Sequence, residues 1–322
     1  MNNVGRKGAM MGISAFFALT YLCLAAAQNV WMIFIGRFLS GMASGLTTIA
    51  TPTYVSEIAS PNVRGMLGSC FQLMVTVGVL YPGIIGAIAS WRWISVACIV
   101  WCLLWSILLC FCPESPAHLL AKKDFDGARK ALQFLRGHEL VETELAEAQM
   151  NIEEAQSKNF QLKQLLEPSN AKPLSIALIL MLGQQLSGCN AVLFFSVSIF
   201  ESAHTSLNSF VENIILSSVQ VVATTIATLI MDKLGRRILL IVSALVMMVS
   251  LYGLGLYFWF LKDRGEDFAA QISFLPLGSV CLFIFAFSIG FGPIPWLMMS
   301  ELFSPEAKGA ASSLTSMYSV TV

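Results

Sequence analysis

Three amides stand inside an otherwise uncharged stretch: Gln184, Gln185 and Asn190, in the run GQQLSGCNAVLFFS at 183–196. The surrounding segment, Leu174–Phe200, carries no charge and is long enough to cross a bilayer at about 1.5 Å per helical residue. An amide placed there raises the free energy unless it finds a hydrogen-bonding partner. At about 100° per residue, Gln185 and Asn190 stand about 140° apart on a straight helix, so a regular helix cannot aim all three amides at one partner. Ser187 and Gly188 lie between them. Local unwinding there would turn the amides together, as happens where broken membrane helices line substrate sites. Two readings are open. The amides bond neighbouring helices to each other, or they face a neutral, polyhydroxylated ligand, since amides both donate and accept and no charge is present to hold an ion.

Other polar groups recur at helical spacing. Gly68, Gln72 and Thr76 form one stripe, and Ser217, Gln220, Thr224 and Thr228 another. Such stripes in a membrane face either a neighbouring helix or water, which makes Gln72 and Gln220 cavity candidates. A second helix break is expected at Gly290-Phe-Gly-Pro-Ile-Pro-Trp296, because Gly292, Pro293 and Pro295 cannot continue a regular helix. Trp296 is either an interfacial anchor or a stacking face for a sugar ring. Arg37 lies within a span and needs a carboxylate or carbonyl partner there. Gly36, Gly41 and Gly45, with Ser40 and Ser44, read as a close-packing helix surface.

The elements that would position these residues follow from composition. Hydrophobic residues make up 56% of the 322 and charged residues 12%, which is the balance of a polytopic membrane protein. A net charge of zero offers no basic patch for nucleic acid. The cysteines fall in or beside apolar runs without metal-ligand spacing and read as small hydrophobes. The three histidines, His118, His138 and His204, read as isolated, and no nucleophile–base pair or metal spacing appears. The expectation is therefore a protein that is not an enzyme, with no cofactor and no metal.

Hydropathy predicts eight full spans at about 8–27, 31–54, 66–89, 93–112, 174–200, 209–231, 238–261 and 273–299, with a ninth beginning near Ala310. Fifteen of the 19 lysines and arginines fall on the side holding the N-terminus and three on the other, which places the N-terminus in the cytoplasm. The segment 113–173 holds 18 of the 38 charged residues and interrupts the spans. Ala128, Leu132 and Leu135 fit one helical face with Asp124 or Asp126 near its start, and Leu145, Ala148, Ile152 and Ala155 fit another. Three domains are expected: 1–112, part of an N-terminal bundle; 113–173, a cytoplasmic linker of amphipathic helices; and 174–322, part of a C-terminal bundle.

Two motifs recur between the halves. Asn2-Asn-Val-Gly5-Arg6-Lys7 echoes Asp232-Lys-Leu-Gly235-Arg236-Arg237, and Glu57-Ile-Ala-Ser-Pro61-Asn-Val-Arg64-Gly65 echoes Glu301-Leu-Phe-Ser-Pro305-Glu-Ala-Lys308-Gly309. Matched pairs in register indicate a duplicated bundle. With GRFLSG, PESP, QQLSGCNAV and GPIPWLMMSELF, the chain resembles the sugar porters of the major facilitator superfamily. It looks most like the animal facilitative hexose transporters and the related insect trehalose carriers.

The resemblance implies an all-α, two-bundle membrane fold that moves a neutral sugar, a hexose such as glucose, by alternating access. It implies sugar contacts at Gln72, Gln184, Gln185, Asn190, Gln220 and Trp296. A cytoplasmic charge network is implied at Arg6, Arg37, Glu57, Arg64, Glu114, Asp232, Arg236, Arg237, Glu301 and Lys308, latching the bundles in the outward-facing state. The partners it implies are the sugar and the lipid bilayer, in the plasma membrane or an endosomal or lysosomal membrane. Two departures stand out: Ala117 replaces the family's arginine after PESP, and Asn2 replaces the acid of the first charged turn. Against the family's twelve spans the chain matches the third to the tenth, so a form that inserts without transporting is expected of these residues alone. Proton-coupled symport and a non-transporting modulator of a full-length carrier are the alternatives.

Overall fold

The computed structural model describes residues 5–60, 63–137, 141–157, 168–203, 208–265, 272–303, 314–315 and 317–318. The described chain is helical throughout, with no strand, and eight of its segments are long and apolar enough to cross a membrane. The eight expected spans are all present. The predicted start of a ninth lies almost wholly outside the described residues, where 314–315 and 317–318 are helical. The chain divides into two compact units, residues 1–71 with 88–159, and residues 72–87 with 160–322.

In the first unit, α1 (Arg6–Ala25) packs on α2 (Val30–Ile58) and α4 (Trp91–Phe111). Met10, Ala50, Tyr54 and Leu109 form the core of that contact. Helix α3 (Arg64–Ile88) is divided between the two units. Along α2, Gly36, Ala43 and Ala50 recur every seven residues on one buried face. A Cβ at Gly36 would meet Leu24 at 2.7 Å, so the close packing expected there is present. A Cβ at Gly41 or Gly45 would meet nothing within 4 Å among the described residues. They lie about 140° and 180° around the helix from Gly36, outside the stripe that α1 covers.

Short helices follow: α5 (Pro116–Ala121), α6 (Phe125–Arg136) and α7 (Glu142–Ser157). Ser115 and Asp124 cap the first two, accepting from the amides of His118 and Gly127. Gly137, at φ 71°, closes α6 in the left-handed conformation. Ala128, Leu132, Leu145 and Ala148 meet Leu119, Leu120 and Val141 in one small core, whereas Leu135 is half-buried outside it and the side chains of Ile152 and Ala155 lie outside the described residues. Arg136 fastens this layer by donating to Glu144 at 2.9 Å and to the Ile58 carbonyl at 3.0 Å.

The second unit begins with three consecutive helices, α8 (Pro168–Leu186), α9 (Cys189–Phe194) and α10 (Ser196–Ser202). It continues with α11 (Ser209–Leu234), α12 (Arg236–Arg264), α13 (Phe274–Ile289) and α14 (Ile294–Leu302). Helix α13 packs against both α11 and α12 through Leu216, Met247, Val280, Phe283 and Ile284. Helix α8 packs against α14 through Leu174, Ala177, Met181 and Phe303. The charged-turn repeat has a backbone counterpart: Gly5 at φ 92° starts α1 and Gly235 at φ 81° starts α12.

Candidate functional site

The expected break in the amide-bearing span lies at Ser187–Gly188. Gly188 takes φ 77°, a conformation that side chains with a Cβ rarely adopt, and the helix restarts at Cys189. Ser187 folds back onto the carbonyl of Gln184 at 2.6 Å. A second interruption at Phe195, which sequence reasoning missed, separates α9 from α10. Ser196, just beyond it, donates to the Leu193 carbonyl at 3.0 Å and lies 3.0 Å from Asn213 Oδ1 on α11.

The break turns two of the three amides towards each other. Asn190 Nδ2 donates to Gln185 Oε1 at 2.8 Å, although on a straight helix they would diverge. Gln184 points elsewhere. It is 8% exposed, and its Nε2 donates to the carbonyls of Phe291 (2.7 Å) and Gly292 (2.8 Å). Those carbonyls belong to the second expected break, where α13 ends at Ile289 and α14 begins at Ile294. Both donors of Gln184 are thus engaged by backbone, and the side chain joins one broken helix to the other.

Gln220, on α11, is 5% exposed and its Oε1 has no hydrogen-bond partner among the described residues. The hydroxyls of its stripe are satisfied within the helix: Thr224 donates to the Gln220 carbonyl at 2.8 Å and Thr228 to that of Thr224 at 2.9 Å. Trp296 is half-buried and packs on α14 against the Leu174–Met181 cluster. Gln72 is half-buried on α3. Sequence reasoning also missed Glu212, a buried carboxyl in the first turn of α11, where helix N–H groups favour negative charge.

A second constellation gathers in the first unit. Arg6 Nε lies 3.1 and 3.2 Å from the two carboxylate oxygens of Glu57, and Nη2 donates at 3.0 Å. Glu114 Oε1 accepts from the backbone N–H groups of Arg6 (2.8 Å), Lys7 (3.1 Å) and Ser115 (2.9 Å), capping α1 with an anion. The Ser115 hydroxyl donates to Glu57. Gly5 makes room for this, since a Cβ there would run into the Glu114 carboxylate.

Two expectations need correcting. His118 is not isolated: α5 turns it back into the cluster, and its Nδ1 lies 3.4 Å from Arg6 Nη1. Arg37 does not join the network. It stands 20 residues before Glu57 on α2, about 30 Å along the axis, and its side chain is exposed. Arg237 is also exposed, while Arg236 reaches back to the Met231 carbonyl at 3.1 Å. The side chains of Arg64, Asp232 and Glu301, and all of Lys308, lie outside the described residues, as do His138 and His204.

Because the guanidinium of Arg6 can only donate, His118 Nδ1 must be an unprotonated acceptor. Burial, reinforced by Arg6, lowers the His118 pKa below its usual 6.5. Between that lowered value and 6.5 the unfolded chain binds more protons than the native one, so stability falls as pH drops through this window. Thermal unfolding in detergent should therefore lose more on acidification from about pH 7.5 to 5.5 in the native protein than in His118→Phe. Parallel pH dependences would exclude His118 as the sensitive group.

The "Sugar (and other) transporter" family matches residues 1–322. The chain belongs to this family. A mouse relative, "Solute carrier family 2, facilitated glucose transporter member 8", is 38% identical over 329 residues, covering 98% of this chain and 68% of its own. A mosquito relative, "Facilitated trehalose transporter Tret1" of Anopheles gambiae, is 36% identical over 318 residues, covering 98% of this chain and 40% of its own. Among solved structures, a major facilitator proton:xylose symporter, XylE, bound to 6-bromo-6-deoxy-D-glucose superposes with a TM-score of 0.79. It is 23% identical and covers 99% of this chain and 71% of that one. The fold is that of the major facilitator superfamily, and the sugar-transporter chain is an integral, multi-pass membrane protein. It spans about two thirds of the mouse relative and two fifths of the mosquito one.

Proposed function

We propose that this protein carries a neutral sugar, a hexose such as glucose, across the membrane by facilitated alternating access. The Asn190–Gln185 amide pair at the break in a membrane helix carries this reading. Two uncharged groups that both donate and accept, held in an uncharged span, suit hydroxyls and offer nothing to hold an ion. The buried Oε1 of Gln220, without a partner among the described residues, supplies a further acceptor for a hydroxyl. Trp296 and Gln72 are assigned to the same site by their resemblance to the family's sugar contacts. Gln184 is assigned to it through Oε1 alone, since its donors hold the second break. In this reading residues 1–112 and 174–322 contribute to the two bundles. Segment 113–173 is the linker between them, and the N-terminus is cytoplasmic, on the side with the excess of lysine and arginine. The charge cluster around Arg6 and Glu57 belongs to the latch that biases the outward-facing state.

Uptake of labelled glucose and labelled trehalose by cells expressing the protein tests the reading. Losing one hydrogen-bonding group from a site built for hydroxyls weakens binding by about 1–3 kcal/mol, roughly five- to hundredfold. Gln185→Leu should raise the half-saturation concentration by that factor while surface expression persists. An unchanged half-saturation and maximal rate would remove Gln185 from the site.

A further inference from the structure

We infer that the first unit holds an anionic phospholipid in the groove between the end of α4 and α6. The groove has a volume of about 320 Å³. One wall is Phe111 and Cys112, where α4 ends. The other is the stripe Gly127, Lys130, Ala131 and Phe134, at i, i+3, i+4 and i+7 of α6. Helix α6 therefore uses two faces. Ala128 and Leu132 are buried in the core shared with α7, and the neighbouring stripe fronts the groove.

The side chains of that stripe are unusual for a soluble surface. Phe134 is 69% exposed and Phe111, across the groove, is 76% exposed. Phe111 ends a membrane span, so the groove opens at headgroup level, where exposed aromatic rings are at home. Lys130 brings an ammonium group to the same level. Among the described residues it makes no ion pair, whereas its neighbours along α6 are engaged, Arg129 by Glu142 at 2.9 Å and Arg136 by Glu144. The acid lining the groove, Glu114, is turned to the N-terminus of α1, where it accepts three backbone N–H groups. Apolar walls beside a cation that makes no ion pair among the described residues, at the bilayer boundary, suit a glycerol–acyl region and a negatively charged headgroup together. On the orientation proposed above this is the cytoplasmic leaflet. The site itself depends only on the groove and on α4 being a membrane span.

The full chain can be placed in phosphatidylcholine vesicles containing a minor fraction of phosphatidylserine with a photoactivatable acyl chain. After illumination and digestion, label should concentrate on the peptides containing Phe111 and Phe134. Unlabelled phosphatidylserine should displace it, and added phosphatidylcholine should not. Lys130→Glu should reduce this labelling about fivefold or more, because the cation that meets the anionic headgroup is replaced by an anion. Lys123→Glu makes the same charge change on an exposed residue outside the groove and should leave labelling within about twofold. Label spread evenly along α4, equal displacement by both lipids, or equal losses in the two variants would overturn the site and leave only general surface charge.

Discussion

Replacing Gln184 by leucine is expected to destabilise the second unit by about 2–4 kcal/mol, while the same change at Gln185 removes less than about 1 kcal/mol. The two glutamines are adjacent, and their types and burial in the sequence look alike. Their surroundings separate them. Gln184 Nε2 satisfies two carbonyls, those of Phe291 and Gly292, in a stretch where prolines remove amides that would otherwise cap the helix end. Leucine would leave both oxygens without this donor in a largely buried setting, at about 1–3 kcal/mol each before relaxation. Gln185 loses a bond to Asn190, which is exposed in this structure and can turn to water. Thermal unfolding in detergent, without sugar, should therefore show a large downward shift for Gln184→Leu and a small one for Gln185→Leu. Equal shifts would mean that Gln184 does not hold the second break together.

The sequence announces where the helices break more clearly than where their side chains then point. Run length and hydropathy locate every described span, because a bilayer demands that length of apolar helix. Ser187–Gly188 and Gly290–Pro295 announce their breaks through residues that cannot continue a helix or are free to leave it. Periodicity says nothing about direction after a break, since it presumes a continuous 3.6-residue helix. That is why Gln184 and Asn190 part company unannounced. The interruption at Phe195 involves neither glycine nor proline and gives no local signal.

His118 illustrates a different limit. Helix α5 has six residues, too short for a periodic pattern, so its histidine reads as solitary until the turn carries it beside Arg6. The PESP motif contained the usable clue, because Ser115 before Pro116 marks a helix start that reverses the chain. Arg37 fails in the opposite direction. A motif resemblance grouped it with cytoplasmic charges, yet counting along α2 already separates it from Glu57 by most of a bilayer thickness.

Removing the Arg6 side chain should have the largest effect in the first unit. In Arg6→Ala the Glu57 carboxylate keeps the Ser115 hydroxyl but loses the guanidinium that contacts both of its oxygens. His118 also loses the donor facing Nδ1. Breaking a well-buried ion pair by deleting one partner destabilises by about 3–5 kcal/mol, because the remaining charge stays desolvated. Here the two side chains are 18% and 17% exposed, so water can reach the orphaned carboxylate and about 2–4 kcal/mol is expected. The Glu114 contacts to the amides of residues 6 and 7 use backbone and should survive the substitution. Arg6→Lys separates charge from geometry: it restores a cation but not the planar fork that serves Glu57 and His118 together, so it should recover part of the loss. Unfolding midpoints near pH 7.5 should then fall in the order native, Arg6→Lys, Arg6→Ala, with α1 losing amide-exchange protection first in the alanine variant. If both variants unfold at the native midpoint, the cluster does not stabilise the unit.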